Sequence, residues 1–315
     1  MFENQTDGDT GSELLEQANE QIRTHDLEAA QKTLERGLAL DSETADIVTS
    51  LKFINFWLER ESQLERIQHA FERGEYYISQ WPSFEAFAER IGEVCEPCMF
   101  AIRKHVFGRA LEQFQLLSQE ADAQDSELLM RMGRCYKGLG SFDEAVRYLE
   151  AAAAERSDDS ELLSELADAY ALVNETQAAK AFFREAFFLE PQRVHLELLE
   201  SQLIRALADK VRDLGFAGAA LLEWLPVYGV LLGVFTVKRE LRSIEYGKLK
   251  QGIYALEREL REGRDRDGLI EPRLINRYFW LVDHLISSGE DSAKVDEVLL
   301  KLRSVNDRIY KQYTS

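Results

Sequence analysis

Apolar and polar positions along residues 126–193 repeat at a fixed lag of 34. Leu129 aligns with Leu163, Met132 with Leu166, Gly133 with Ala167 and Tyr136 with Tyr170, and then Ala145 with Ala179, Leu149 with Phe183 and Ala152 with Ala186. Within each copy the large residues recur three or four apart, the period of a helix with one buried face. Each copy therefore predicts a helix–turn–helix. Gly133 and Ala145 let two antiparallel helices approach, and Tyr136 and Leu149 fill the space between them. Gly140 falls in the first turn, and Pro191 follows the second copy.

A weaker copy opens the chain. Residues 13–44 carry Ala18, Ala30 and Gly37 at the small positions and Leu34 and Leu40 at packing positions, with His25-Asp26-Leu27 as a turn without glycine. Residues 45–124 read as helical but off-register. An apolar face containing Ile47, Leu51, Ile54 and Trp57 continues through Leu64, Ile67, Phe71 and Ile78. Trp81-Pro82-Ser83 is expected to break that run, with Ser83 capping a helix from Phe84, and a long helix is expected from about Met99 to Glu120. Residues 194–214 read as one amphipathic capping helix. Three more helices are expected near 237–262, 272–287 and 292–313.

The run 214–237 interrupts this pattern with 24 residues and one charge, Glu223. Its length would allow a membrane span. A carboxylate near the middle costs roughly 2.5–3.5 kcal/mol there, and Pro226 removes a helix donor. Three readings stay open: a buried helix–turn–helix, a membrane-associated segment, or an apolar pocket near Glu223, Trp224, Tyr228 and Phe235. If buried, Glu223 needs a cationic partner. Arg239 and Arg242 are the nearest candidates in sequence.

Period, residue types and positions in 126–193 resemble the tetratricopeptide repeat. SELLMRMGRCYKGLGSFDEAVRYLEAAAAERSDD matches that family's pattern closely, with Leu129 in place of its usual tryptophan, and the next copy has Asn174 where the family prefers glycine. The resemblance extends to the first helical pair and not to residues 215–315. It implies an all-α fold, a right-handed α-solenoid of helical hairpins with an additional helical C-terminal region. The parts are a disordered start at 1–12, a hairpin at 13–44, degenerate hairpins at 45–124, two repeats at 126–193, a capping helix and buried apolar segment at 194–237, and a C-terminal helical region at 238–315. In this family the first helix of each unit lines a concave groove. That places Met130, Arg134 and Lys137 beside Glu161, Ser164 and Asp168, with Leu15, Asn19 and Arg23 in the same role in the first unit. Relatives that hold acidic chaperone tails do so with basic and amide groups. Glu161, Glu165 and Asp168 stand in their place here, so a basic or apolar protein segment is the expected partner.

Composition narrows the remaining options. The 315 residues include only 18 Gly and 5 Pro, which suits long helices. The net charge of −19 is uneven: residues 238–315 hold 16 Lys and Arg against 14 Asp and Glu, leaving 22 against 43 for the first 237. That acidity disfavours nucleic acid. No charged-then-apolar signal pattern opens the chain, so a cytoplasmic location is the default, with membrane association as the alternative. Cys95-Glu96-Pro97-Cys98 has the spacing of a thiol pair or of two metal ligands, but the further ligands a zinc site needs are missing from its surroundings, and core packing is the plainer reading. The five histidines are scattered, and no nucleophile elbow or phosphate-binding loop occurs. No enzyme activity, cofactor or metal is expected, and the oligomeric state is left open.

Overall fold

A computed structural model describes residues 10–40, 45–93, 95–120 and 125–315. Residues 1–9, most of the start expected to be disordered, lie outside the described residues. Gly11 and Ser12 already belong to the first helix. Every regular element among the described residues is helical, as the repeat pattern requires. The chain divides into two compact units, residues 1–152 and 153–315, a division that falls inside the repeat pair at 126–193.

The first unit begins with α1 (Gly11–Arg23) and α2 (Leu27–Leu40), followed by α3 (Ala45–Leu64), α4 (Ala70–Ile91), α5 (Glu96–Glu120), α6 (Ser126–Gly138) and most of α7 (Phe142–Glu155). Thr10 and Glu13 form a capping box that starts α1: Glu13 N–H donates to the Thr10 hydroxyl, and Thr10 N–H donates to Glu13 at 2.7 Å. Two expectations fail at prolines. Helix α4 runs straight through Pro82, so Ser83 caps nothing. Helix α5 begins before Met99, because Pro97 sits in its first turn, where a missing N–H costs little. Helix α5 packs against α1, α4 and α6. Arg103 and Lys104 donate to the carbonyls of Gly138 and Leu139, placing cations at the negative end of α6.

The second unit holds α8 (Ser160–Leu172), α9 (Thr176–Leu189), α10 (Gln202–Asp213), α11 (Gly218–Leu231), α12 (Ser243–Arg261), α13 (Ile270–Ser287), α14 (Ser292–Val305) and α15 (Asp307–Thr314). The two repeat hairpins share their details at the same lag. Asp125 caps α6 and Asp159 caps α8. Tyr136 stacks on Tyr148 at 4.9 Å, and Tyr170 on Phe182 at 5.5 Å. Gly140 (φ 77°) and Asn174 (φ 66°) take the left-handed turn position, and Ser141 N–H to Tyr136 and Glu175 N–H to Tyr170 close the turns.

Beyond the repeats the chain is less regular than expected. Residues 191–193 and 196–198 form short 3-10 turns, so the amphipathic helix starts only at Gln202. The segment expected to be helical from 237 stays irregular until Ser243, and the last predicted helix divides at Asn306, which caps α15. Helix α13 is buried nearly all round and forms the centre of this unit, with Leu274, Ile275, Phe279 and Val282 packed among α9, α11, α12 and α14 residues. No single helix among the described residues is long and apolar enough to cross a membrane, and α10 with α11 reaches that composition only as a pair bent by 113°. Leu221, Trp224, Leu225, Val227 and Tyr228 of α11 are instead buried in this core.

Candidate functional site

The residues assigned to the concave face are mostly not open. Met130, Arg134 and Lys137 are buried, as are Ser164 and Asp168. Glu161 is half-buried. The physical reason is plain at Asp168. Its carboxylate accepts the backbone N–H groups of Ser201 and Glu200, each at 2.8 Å, and Leu199 is buried beside them. The chain following the repeat thus lies on the face of α8 that the register leaves for a partner. In the first hairpin Asn19 is buried, Leu15 is half-buried, and Arg23 pairs with Glu20 and lies over the Phe100 ring of α5 at 5.9 Å.

A groove does remain open beside this contact. It encloses about 580 Å³ and is lined by Ala171, Leu172, Asn174 and Thr176 at the α8–α9 turn, Ser201, Gln202, Leu203, Ala206, Leu207 and Lys210 around α10, and Leu232 and Val234. Ala206 and Leu232 are exposed on its walls. The Ser201 hydroxyl is buried without a hydrogen-bond partner. Lys210 is the one charge among the lining residues, and it is solvent-exposed.

Glu223, Trp224, Tyr228 and Phe235 do not line one pocket. Trp224 and Tyr228 pack with Phe216, at 4.9 and 6.0 Å between rings. Phe235 stacks on Phe187 and lies over Gly229. Glu223 faces elsewhere and pairs with Arg273 of α13 at 2.6 Å. The nearer arginines are otherwise engaged: Arg239 binds Glu185 and Glu245, and Arg242 binds Glu245. The pair lines a cavity of about 300 Å³ with Gln192, Asn276 and Arg277. The Glu223 hydrogen bond, set against burial, raises the Arg273 pKa, whereas burial lowers that of Arg277.

Two polar clusters were not foreseen. In the first unit His105, fully buried, contacts Glu61 at 2.9 Å through Nε2 and His25 at 3.2 Å through Nδ1, and the Tyr77 hydroxyl also donates to Glu61. Glu61 only accepts, so His105 donates to it from Nε2. Burial opposes the Glu61 charge, yet hydrogen bonds from His105 and Tyr77 hold its carboxyl below the usual value. In the second unit Arg184, buried, binds Asp283 and the Val237 carbonyl, and Lys238 binds Asp283 at 2.8 Å. The sequence signal for both was only a polar residue on an apolar face. Cys95 and Cys98 are buried free thiols, and burial pushes Cys98 up to about 12, which opposes nucleophilic use. Glu257 accepts the Tyr278 hydroxyl at 2.8 Å.

Residues 126–159 match the family model described as Tetratricopeptide repeat. No curated protein matches the chain.

Proposed function

Since the chain belongs to the tetratricopeptide-repeat proteins, an architecture typically used for binding other proteins without catalysis, we propose that it is a non-enzymatic scaffold or adaptor that takes an apolar segment of a partner protein into the open groove beside α8 and α10. The observation that carries this reading is the groove itself. It exposes Ala206 and Leu232 beside the turn of the second repeat hairpin. Lys210 as the one lining charge disfavours a strongly basic segment and favours one that brings a carboxylate or carbonyl to it and to Ser201. The burial of α11 weighs against a membrane-associated adaptor.

Ala206→Glu and Leu232→Glu place charge on exposed groove walls and leave the core untouched. Affinity purification with each variant is expected to lose the partner that the wild-type chain retains, with an unchanged circular-dichroism spectrum. Recovery of the same partner in the same yield would remove the groove from the account.

A further inference from the structure

The cavity at Glu223 holds a buried carboxylate oxygen without a donor and a half-buried guanidinium without an ion pair. Glu223 is 1% exposed. Three donors crowd its Oε1: Arg273 Nε at 2.7 Å, Arg273 Nη2 at 2.6 Å and Gln192 Nε2 at 2.9 Å. Its Oε2 is buried and accepts no hydrogen bond. Arg277, one turn along α13 from Arg273, lines the same cavity and forms no ion pair among the described residues. Its guanidinium lies against Gly252 of α12, where an added Cβ would come within 2.9 Å of Nη1. A buried carboxylate oxygen without a donor is costly, and the half-buried Arg277 guanidinium faces the same cavity with no carboxylate of its own. The cavity they line encloses about 300 Å³, room for more than a single water of about 30 Å³.

We propose that this cavity binds a small zwitterion of the α-amino-acid class with an apolar side chain. Its ammonium group donates to Glu223 Oε2, its carboxylate accepts from Arg277, and its side chain rests on the apolar wall formed by Phe187, Phe188 and Leu256. A simple carboxylate would leave Glu223 unmet, and a simple amine would leave Arg277 unmet. Phosphate is disfavoured because Glu223 and the exposed Glu190 both line the space and repel a dianion. Arg273 is already committed to Glu223 and serves to hold that carboxylate in place. The site shares no lining residue with the groove, so either reading can fail alone.

Isothermal titration of the full chain with L-leucine tests this, alongside 4-methylpentanoate, which lacks the ammonium group, and 3-methylbutylamine, which lacks the carboxylate. L-Leucine is expected to bind at least about 10-fold more tightly than either analogue, the factor expected for one lost charge-assisted hydrogen bond, and inorganic phosphate is expected not to displace it. Arg277→Gln should reduce leucine to the affinity of the amine. Arg277 has no ion pair to lose, so this variant reports on binding even if Glu223→Gln fails to fold. No leucine binding at millimolar concentration, equal affinity for all three compounds, displacement by phosphate, or undiminished leucine binding by Arg277→Gln would each overturn the assignment.

Discussion

Gly229 on α11 lies under the ring of Phe235, and a Cβ placed there would sit 2.3 Å from Phe235 Cδ2. The ring cannot retreat, because it is itself stacked on Phe187 in the core. Gly229→Ala should therefore cost about 1–3 kcal/mol through overpacking, read as a lower midpoint in denaturant. Asp283 is a different case. It is 2% exposed and neutralises Arg184, which is 3% exposed. Removing it strands a buried guanidinium, so Asp283→Ala should destabilise by about 3–5 kcal/mol. A loss below 1 kcal/mol in chemical denaturation would mean that the pair is not closed in solution. The need of Glu223 for a cation was legible in the sequence, from one carboxylate in an apolar run. Arg273 as its partner was not, because that contact spans 50 residues and depends on how α11 crosses α13. Local proximity pointed to Arg239 and Arg242, which the α12 capping interaction with Glu245 has already taken up.

At the scale of elements, the repeat hairpins were readable because small and large residues had to alternate at fixed positions for two helices to close. Asn174 keeps the left-handed turn without glycine because its short amide tolerates φ of 66°. Asn174→Val should cost roughly 1–2 kcal/mol, and Asn174→Gly should leave thermal stability near wild type. The helices around Pro82 and Pro97 were misjudged because a proline's cost depends on whether its carbonyl and ring are accommodated, which packing decides. The turn of the first hairpin carries a pH dependence that no pattern announced. His25 sits in that turn at φ 69° and is held over Gly108 of α5, where a Cβ would meet it at 3.0 Å. Burial first, then the adjacent His105, lowers its pKa below the ordinary 6.5. A histidine with a depressed folded-state pKa binds protons more readily when unfolded. Its contribution is therefore complete above about pH 6.5 and is lost as the pH falls below that value. Stability of the first unit, followed by hydrogen exchange of α1 and α2, should decline from pH 7 to pH 5. His25→Asn, which also tolerates the left-handed turn, should flatten that decline. An unchanged slope in the variant would assign the effect to other groups.

Over the whole molecule, the all-helical architecture followed from the 34-residue lag and the scarcity of glycine and proline. What the sequence did not reveal was where the repeat's binding face remains available. Asp168 is satisfied by two backbone amides, at Glu200 and Ser201, and backbone amides leave no mark in a sequence. The apolar run 214–237 looked like a separate device for the same reason: its partners on α9 and α13 are spread through the chain and supply ordinary core residues. On the proposed function partner binding falls at the open groove beside α10, while the apolar residues of α11 belong to the core. The most direct measurement is photo-crosslinking in native cells with p-benzoylphenylalanine at Leu232 on the groove wall, compared with Leu300, 63% exposed on α14 and outside the groove. Adducts from position 232 to an apolar segment of a partner, absent from position 300 and abolished by Ala206→Glu, are the predicted result. Equal adducts from both positions, or adducts from position 232 that survive Ala206→Glu, would contradict the account.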